Sequence, residues 1–211
     1  EAKKRGRLRG IGVSNYIDLS TGVPQERTEI DVLAEGRIEV VIGTVDSGQG
    51  HATSFGQVVA ELLGAPLEAI RLLQGDTMRV SVGGGTHSGR SMRMGTIVMV
   101  QAVEEIIDKG KRIAAQVMEA AASDIEFTTT GEAGAFTVAG TDRTITLFEV
   151  ARAAVERDDL PVELSGPLRA DAQIELRRAV FGNGTQVVEV EIDPDTGVVE
   201  IVRYTTVDDV G

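Results

Sequence analysis

43-GTVDSGQGHATSFGQVVAELLG-64 runs from a strand end through a glycine loop into a helix. Just before it, Ile38, Val40 and Ile42 alternate with Arg37, Glu39 and Val41, the two-residue period of a strand with a buried face. Gly48-Gln49-Gly50 makes a tight loop. Phe55, Val58, Val59, Leu62 and Leu63 then recur at i, i+3, i+4, i+7 and i+8, an amphipathic helix. Gly64 is a helix stop, with Pro66 after it. A glycine loop at a helix start presents backbone N–H groups to an anion. That defines a type of site, not a function.

Upstream, residues 7–19 read as a strand, with glycines that suggest close packing or a bulge. In 26–43, Ile30 and Val32 alternate with Glu29 and Asp31, and Glu35-Gly36 turns the chain, which predicts a hairpin. Downstream, Ile70, Leu72 and Leu73 make a short strand. A second glycine-rich loop, 82-VGGGTHSGRS-91, opens the longest helical stretch, roughly 90–122, with Gly110 as a candidate kink. Residues 125–139 read as a hairpin turning at Gly131–Gly134. Thr146 followed by Glu149 is a capping box for a helix over 147–156. Signals over 158–180 are weak, with a strand expected at 161–165. Val188, Val190 and Ile192 alternate with Glu189 and Glu191, and Pro194-Asp195-Thr196-Gly197 turns the chain into 198–209, a further hairpin. Hairpins are frequent, and strands and helices do not alternate strictly. The expected class is α+β, two layers of mixed β-sheets with hairpins covered by helices. The 211 residues are read as one fragment of a domain, with sub-lobes at 1–122 and 123–211.

Composition narrows the function. The net charge of −12 argues against nucleic acid or an anionic membrane as partner. It leaves room for an anionic cofactor, because a local nest of N–H groups can hold phosphate inside an acidic protein. The absence of cysteine removes disulfides, thiolate metal sites, Cys-ligated iron–sulfur clusters and Cys nucleophiles from this chain. No signal peptide or membrane span is visible, and a cytoplasmic location is expected. The chain begins without methionine and stops directly after Val207-Asp208-Asp209-Val210, so a piece of a longer polypeptide is expected.

The first loop is not a P-loop, because Gln49-Gly50 stands where Lys-Ser or Lys-Thr is needed. Its spacing does not match the Rossmann fingerprint either. In the second loop three successive glycines carry a high entropic cost. They precede hydroxyls and Arg90 at a helix start, a combination suited to phosphate or a polar heterocycle. The plainer reading is a surface loop with a routine cap. His51 and His87 each sit in one of these loops. They lack the spacing and third ligand of a zinc site, and an exposed polar role is the default for both. Asp76, Asp208 and Asp209 read as turn or solvent-facing carboxylates.

Taken together, Gly48-Gln49-Gly50-His51-x-Thr53, Gln57, Ala60, Leu63-Gly64, Gly75-Asp76-Thr77, Gly85-Thr86, Arg90-Ser91, 140-GTDRTITLFEVARAA-154, 193-DPDTG-197 and Val207-Asp208-Asp209 resemble the large, molybdenum-cofactor-binding subunit of the xanthine dehydrogenase/aldehyde oxidase family, to which the carbon monoxide dehydrogenase large chain belongs. The resemblance implies a molybdenum–molybdopterin cofactor, in the cytosine dinucleotide form of most bacterial members. It implies contacts from Gly48, Gln49, Gly50, His51 and Thr53 at the pterin and metal end. Thr77 joins the cofactor set, and Gly85, Thr86, Arg90 and Ser91 would hold phosphates or the distal nucleotide. No residue here would bind the metal directly. One departure is that Ser88-Gly89 stands where the family has Gly-Ser before Arg-Ser. A larger one is that the family's catalytic glutamate segment, Gly-x-Gly-Glu, is not in this stretch.

The implied parent is an oligomeric molybdenum hydroxylase or dehydrogenase that oxidises a small substrate (carbon monoxide, an aldehyde or a heterocycle). Electrons would pass to an iron–sulfur small subunit and an FAD medium subunit. This stretch alone is expected to be inert and to hold no stoichiometric molybdenum. The rival readings are a non-catalytic nucleotide-binding module and a scaffold in which the loops are plain turns. The two glycine loops are expected at helix N-termini within one cleft.

Overall fold

The computed structural model describes residues 1–20, 22–129 and 133–209. Numbered in chain order, the described residues form ten strands and three α-helices, the α+β class read from the sequence. Their contacts fall into two units, 1–21 with 178–211, and 22–177. The division differs from one near residue 122, because the first strand pairs with a strand near the other end of the chain. Among the described residues, no helix is long and apolar enough to cross a membrane.

The smaller unit is one antiparallel sheet. β1 (Leu8–Ser20) pairs with β9 (Val180–Ile192), which pairs with β10 (Val199–Asp209). The Asp193 carboxylate accepts the N–H groups of Asp195 and Thr196, and Gly197 takes a left-handed φ of 73°, which closes the β9–β10 turn. Arg9 pairs with Glu189 and Glu191 on one face, and the Tyr16 hydroxyl bonds Asp208 on the other.

The larger unit is built on a four-stranded sheet in the order β4 (Ile70–Leu73), β3 (Arg37–Ile42), β2 (Gln25–Leu33) and β8 (Leu168–Glu175). β2 (Gln25–Leu33) and β3 (Arg37–Ile42) form the expected hairpin, turned at Gly36. β4 (Ile70–Leu73) lies parallel to β3, with α1 (His51–Leu63) as the connection between them. α2 (Arg90–Val117) follows β4 and packs across β2 and β8. Its buried face carries Val98, Met99, Ala102, Val103, Ile106, Ile113 and Ala114. Gly110 does not break it. A Cβ there would stand 2.4 Å from the Phe136 ring, so the glycine admits that ring to the core. The helix ends at Val117, short of 122, and Glu119 has turned left-handed at φ 48°.

The remaining strands, β5 (Ile125–Thr128), β6 (Ala135–Val138) and β7 (Thr144–Thr146), form a small antiparallel sheet. Its β5–β6 hairpin was expected, although part of the turn lies outside the described residues. α3 (Leu147–Glu156) starts on the expected capping box: Thr146 accepts from the Glu149 N–H, and Glu149 accepts from the Thr146 N–H at 2.8 Å. Thr146→Ala removes half of that exchange. It should cost about 0.5–2 kcal/mol, read as a lower urea midpoint at unchanged slope.

One expectation is corrected. Residues 161–165 are not a strand; Pro161 starts a turn in which its carbonyl accepts from Leu164 and Ser165. The strand lies just beyond, as β8 (Leu168–Glu175), paired antiparallel with β2.

Candidate functional site

The larger unit puts both glycine loops at one end. β3 and β4 are adjacent and parallel. The chain leaves the carboxyl end of β3 into residues 43–50 and α1, and leaves β4 into 74–89 and α2. In open sheets with parallel strands, ligands collect outside the carboxyl ends. The start of β2 reaches the same end, because Thr28 pairs with Ile42.

The buried polar residues of this unit are Glu26, Thr28, Thr44, His51, Arg90 and Ser91. They gather at that end, while the rest of the core is aliphatic with a few aromatic rings. Burying polar groups costs free energy unless each finds a partner. Here they do: among the described residues, no buried side-chain nitrogen or oxygen lacks a hydrogen bond.

Two connections knit the loops together. The first is made by hydroxyls. Thr44 Oγ1 lies 2.7 Å from Thr86 Oγ1 and 2.6 Å from Ser91 Oγ. The Thr86 oxygen also accepts from the Val45 N–H at 3.0 Å, and its hydroxyl donates to the Val45 carbonyl. Thr86 thus bonds Val45 much as a neighbouring strand would. The second connection is backbone on backbone. A Cβ on Gly43 would stand 2.2 Å from the Gly83 Cα, and one on Gly83 would stand 2.4 Å from the Gly43 Cα. Neither position has room for a side chain. The two loops therefore meet at one end of the sheet, close together as expected.

Beneath them lies an ion pair. Arg90 Nη1 donates to Glu26 Oε2 at 2.8 Å, with both side chains almost wholly inaccessible, 1% and 0% exposed. The guanidinium also donates to the carbonyls of Val23 (3.1 Å), Gln25 (2.7 Å) and Gly85 (2.7 Å). Glu26 Oε1 accepts the Gly43 N–H at 3.1 Å. Arg90 was expected to hold phosphate; in this structure its guanidinium is turned inward. At least four of its five N–H donors are spent inside the protein. Ser91 likewise points inward. Together they hold the shape of the second loop.

The first loop is organised by a residue that the sequence reading passed over. Asp46 Oδ1 accepts from the N–H of Gly48 (2.7 Å) and Gly50 (3.3 Å), and Oδ2 from that of His51 (2.8 Å). The Gly48 N–H, with those of His51 and Gly50, holds the Asp46 carboxyl below the usual carboxylate range against the opposing effect of burial. The glycine loop was expected to offer its N–H groups to a ligand anion; those of Gly48 and Gly50, and the first N–H of α1 at His51, are instead taken by the chain's own carboxylate. An aspartate two and four residues before N–H groups of a glycine loop is the signal that would have found it.

Gln74, just past β4, closes the ring. Its Oε1 accepts the Asp46 N–H at 3.3 Å, which turns Nε2 toward His51 Nδ1 at 3.4 Å. That assignment makes Nδ1 the acceptor and leaves the ring hydrogen on Nε2. The His51 ring is buried against Phe55, centroids 4.9 Å apart, and is a core histidine, not the exposed one expected by default.

What faces outward is backbone and amide. Gly48, Gly50 and Gly85 are left-handed, with φ of 108°, 77° and 70°, and a Cβ on any of them would meet nothing within 4 Å. Gln49 is exposed; its Oε1 accepts the Ser47 N–H at 2.6 Å, which leaves the Nε2 donors directed away, one of them to the Val45 carbonyl at 3.4 Å. Thr53 and Thr77 are exposed, and among the described residues no side-chain hydrogen bond ties them to the loops. Ser88 and Gly89, in the order that departs from the family, are both left-handed, at φ 49° and 64°. His87 is exposed and stacks where a Gly22 side chain would be, its Cε1 2.2 Å from that Cβ position.

A family model described as the molybdopterin cofactor-binding domain matches residues 1–211. The chain is 32% identical over 209 residues to the 6-hydroxypseudooxynicotine dehydrogenase complex subunit gamma of Paenarthrobacter nicotinovorans, covering 98% of this chain and 25% of that protein. It is 29% identical over 203 residues to the carbon monoxide dehydrogenase large chain of Hydrogenophaga pseudoflava, covering 96% of this chain and 24% of that one. Among solved structures, Cu,Mo-CO dehydrogenase in its carbon monoxide reduced state superposes with a TM-score of 0.81 at 27% identity, over 99% of this chain and 27% of that one. The chain thus spans about a quarter of the length of these relatives.

Proposed function

The chain belongs to the molybdopterin cofactor-binding domain family, and from that premise we propose that residues 43–51 and 83–91 form a wall against which the cofactor of a longer oxidoreductase subunit rests. The observation that carries this reading is the division of labour within the two loops. Their side chains are spent inward, on each other and on the Glu26–Arg90 pair, while the glycine backbone at 48, 50 and 85 faces open space. A planar, polar heterocycle can approach such a backbone closely, because no Cβ stands in the way. The residues present fit the group.

Gly48 and Gly50 admit the ring. Gln49, its oxygen anchored, directs amide donors toward acceptor atoms. Gly85 gives the second loop the same open face, and Thr86, Arg90 and Ser91 hold it in place. The exposed hydroxyls of Thr53 and Thr77 are available to the same ligand. The bound molybdenum–pterin group, in its cytosine dinucleotide form, supplies the redox chemistry; this chain supplies position and hydrogen bonds. The whole protein would oxidise a small molecule, with carbon monoxide and the nicotine-derived heterocycle of the relatives as guides to substrate class. The names of its relatives, a complex subunit gamma and a large subunit, support a place in a multi-subunit complex. Electrons would leave that complex through iron–sulfur and FAD subunits.

Gln49→Ala in the full-length polypeptide tests the reading. It removes donors to a buried partner, worth roughly 1–3 kcal/mol, or about a tenfold to hundredfold loss in cofactor retention. Gln49 is exposed and remote from the core, so the melting temperature of the apoprotein should hardly move. Molybdenum and pterin contents equal to wild type would remove Gln49 from the site.

A further inference from the structure

The N–H groups of the first glycine loop and the first N–H of α1 are closed by a carboxylate that the chain supplies itself, and that closure has a consequence for the ligand. We infer that Asp46 is a built-in anion that sets the polarity of the first loop: it positions Gly48, Gly50 and His51 and at the same time refuses these three N–H groups to any negatively charged group. Three backbone N–H groups converge on its two oxygens, at 2.7, 3.3 and 2.8 Å. Gln74 fixes the backbone of Asp46 from the other side through its N–H. An aspartate is ionised at neutral pH in any case, and the N–H groups of Gly48, His51 and Gly50 favour the charged form further.

A phosphate seeking the same N–H groups would have to displace a carboxylate tethered within five residues. Tethering gives that carboxylate an effective concentration in the millimolar range or above, which an untethered anion must exceed. A phosphate that came close without displacing it would meet a like charge in the loop. The loop therefore accepts an uncharged ligand face and rejects an anionic one. If the cofactor reading above holds, Asp46 is a specificity-determining residue. It directs the pterin toward Gly48–Gly50 and turns the phosphates of the dinucleotide away from α1, so that the cofactor lies in one end-to-end sense. The rejection of anions itself does not depend on that reading.

Amide hydrogen exchange of the full-length polypeptide, prepared without cofactor, tests the inference with inorganic phosphate as the probe. In wild type, the amides of Gly48, Gly50 and His51 should exchange slowly, at a rate that phosphate leaves unchanged relative to chloride of equal ionic strength. In Asp46→Gly they should exchange roughly 3- to 30-fold faster, as expected for the loss of a helix cap. Phosphate, and not chloride, should then restore part of the protection, because the emptied N–H groups become available to it. Asp46→Asn keeps one acceptor oxygen and should fall between the two; it carries the same test if the glycine variant fails to accumulate. The inference is overturned if phosphate protects the wild-type loop, if neither variant exchanges faster than wild type, or if phosphate leaves both variants unprotected. The measurement reads apoprotein amides and so fails or succeeds apart from the molybdenum content of Gln49→Ala, which tests the cofactor reading.

Discussion

Arg90→Met should lower the unfolding free energy of the chain by about 3–5 kcal/mol, because it leaves a buried carboxylate without its cation. Glu26 is fully inaccessible, and Arg90 Nη1 at 2.8 Å is its charged partner. The same substitution orphans the carbonyls of Val23, Gln25 and Gly85, which the guanidinium now serves. Methionine fills much of the volume but can donate to none of them. The effect should be largest where the loops converge. Arg90 anchors the start of β2, the second glycine loop and the first turn of α2 at once. Equilibrium urea unfolding gives the number. The companion variant Glu26→Leu/Arg90→Met discriminates the cause. Removing both charges should recover part of the loss, since the isolated carboxylate is gone, while the orphaned carbonyls keep it below wild type. A single variant within 1 kcal/mol of wild type would show that the pair is not the keystone of this end of the fold.

The fold was legible wherever a period ran undisturbed. The β2–β3 hairpin alternates Thr28, Ile30 and Val32 inward against Glu29 and Asp31, and α3 announces itself with Thr146 and Glu149. β8 escaped notice because two of its inward residues are Ala170 and Ala172, too small to stand out as a hydrophobic alternation. Pro161 and Leu164, by contrast, look strand-like in composition but belong to a turn. At the site, the sequence marked the glycine loops but not the direction each glycine faces. Gly48, Gly50 and Gly85 look out into open space. Gly43 and Gly83 touch each other, and Gly84 lies against the Arg90 guanidinium, 2.4 Å from a Cβ position. That difference depends on which segments meet in space, and no local pattern encodes it. The same holds for Glu26 and Arg90, which are 64 residues apart. Glu26 alone reads as an ordinary surface charge and Arg90 as a ligand contact at a helix start; only the packing of α2 on β2 makes them a pair.

The contact between Gly43 and Gly83 leads to the second large effect. Gly43→Ala adds one methyl group, yet it should cost about 3 kcal/mol or more, at the upper end of overpacking penalties. Its Cβ would stand 2.2 Å from the Gly83 Cα, 2.7 Å from the Val82 carbonyl oxygen and 2.5 Å from Glu26 Oε1. The first two are backbone atoms, which cannot rotate aside as a side chain would. The third belongs to the carboxylate that accepts the Gly43 N–H and pairs with Arg90. Relief must therefore come either from separating the two loops or from pushing Glu26 off its partner. Both routes damage the same site. Gly85→Ala is the control. Its Cβ meets nothing, so the left-handed φ of 70° is the sole penalty, on the order of 1 kcal/mol. The mechanism also fixes how the large effects combine. If the alanine methyl acts by displacing Glu26, Gly43→Ala and Arg90→Met damage one network, and the double variant should lose clearly less than the sum of the singles, by 0.5 kcal/mol or more. Strict additivity in urea unfolding would mean that the methyl strains the loop–loop contact alone and that the ion pair beneath it is untouched.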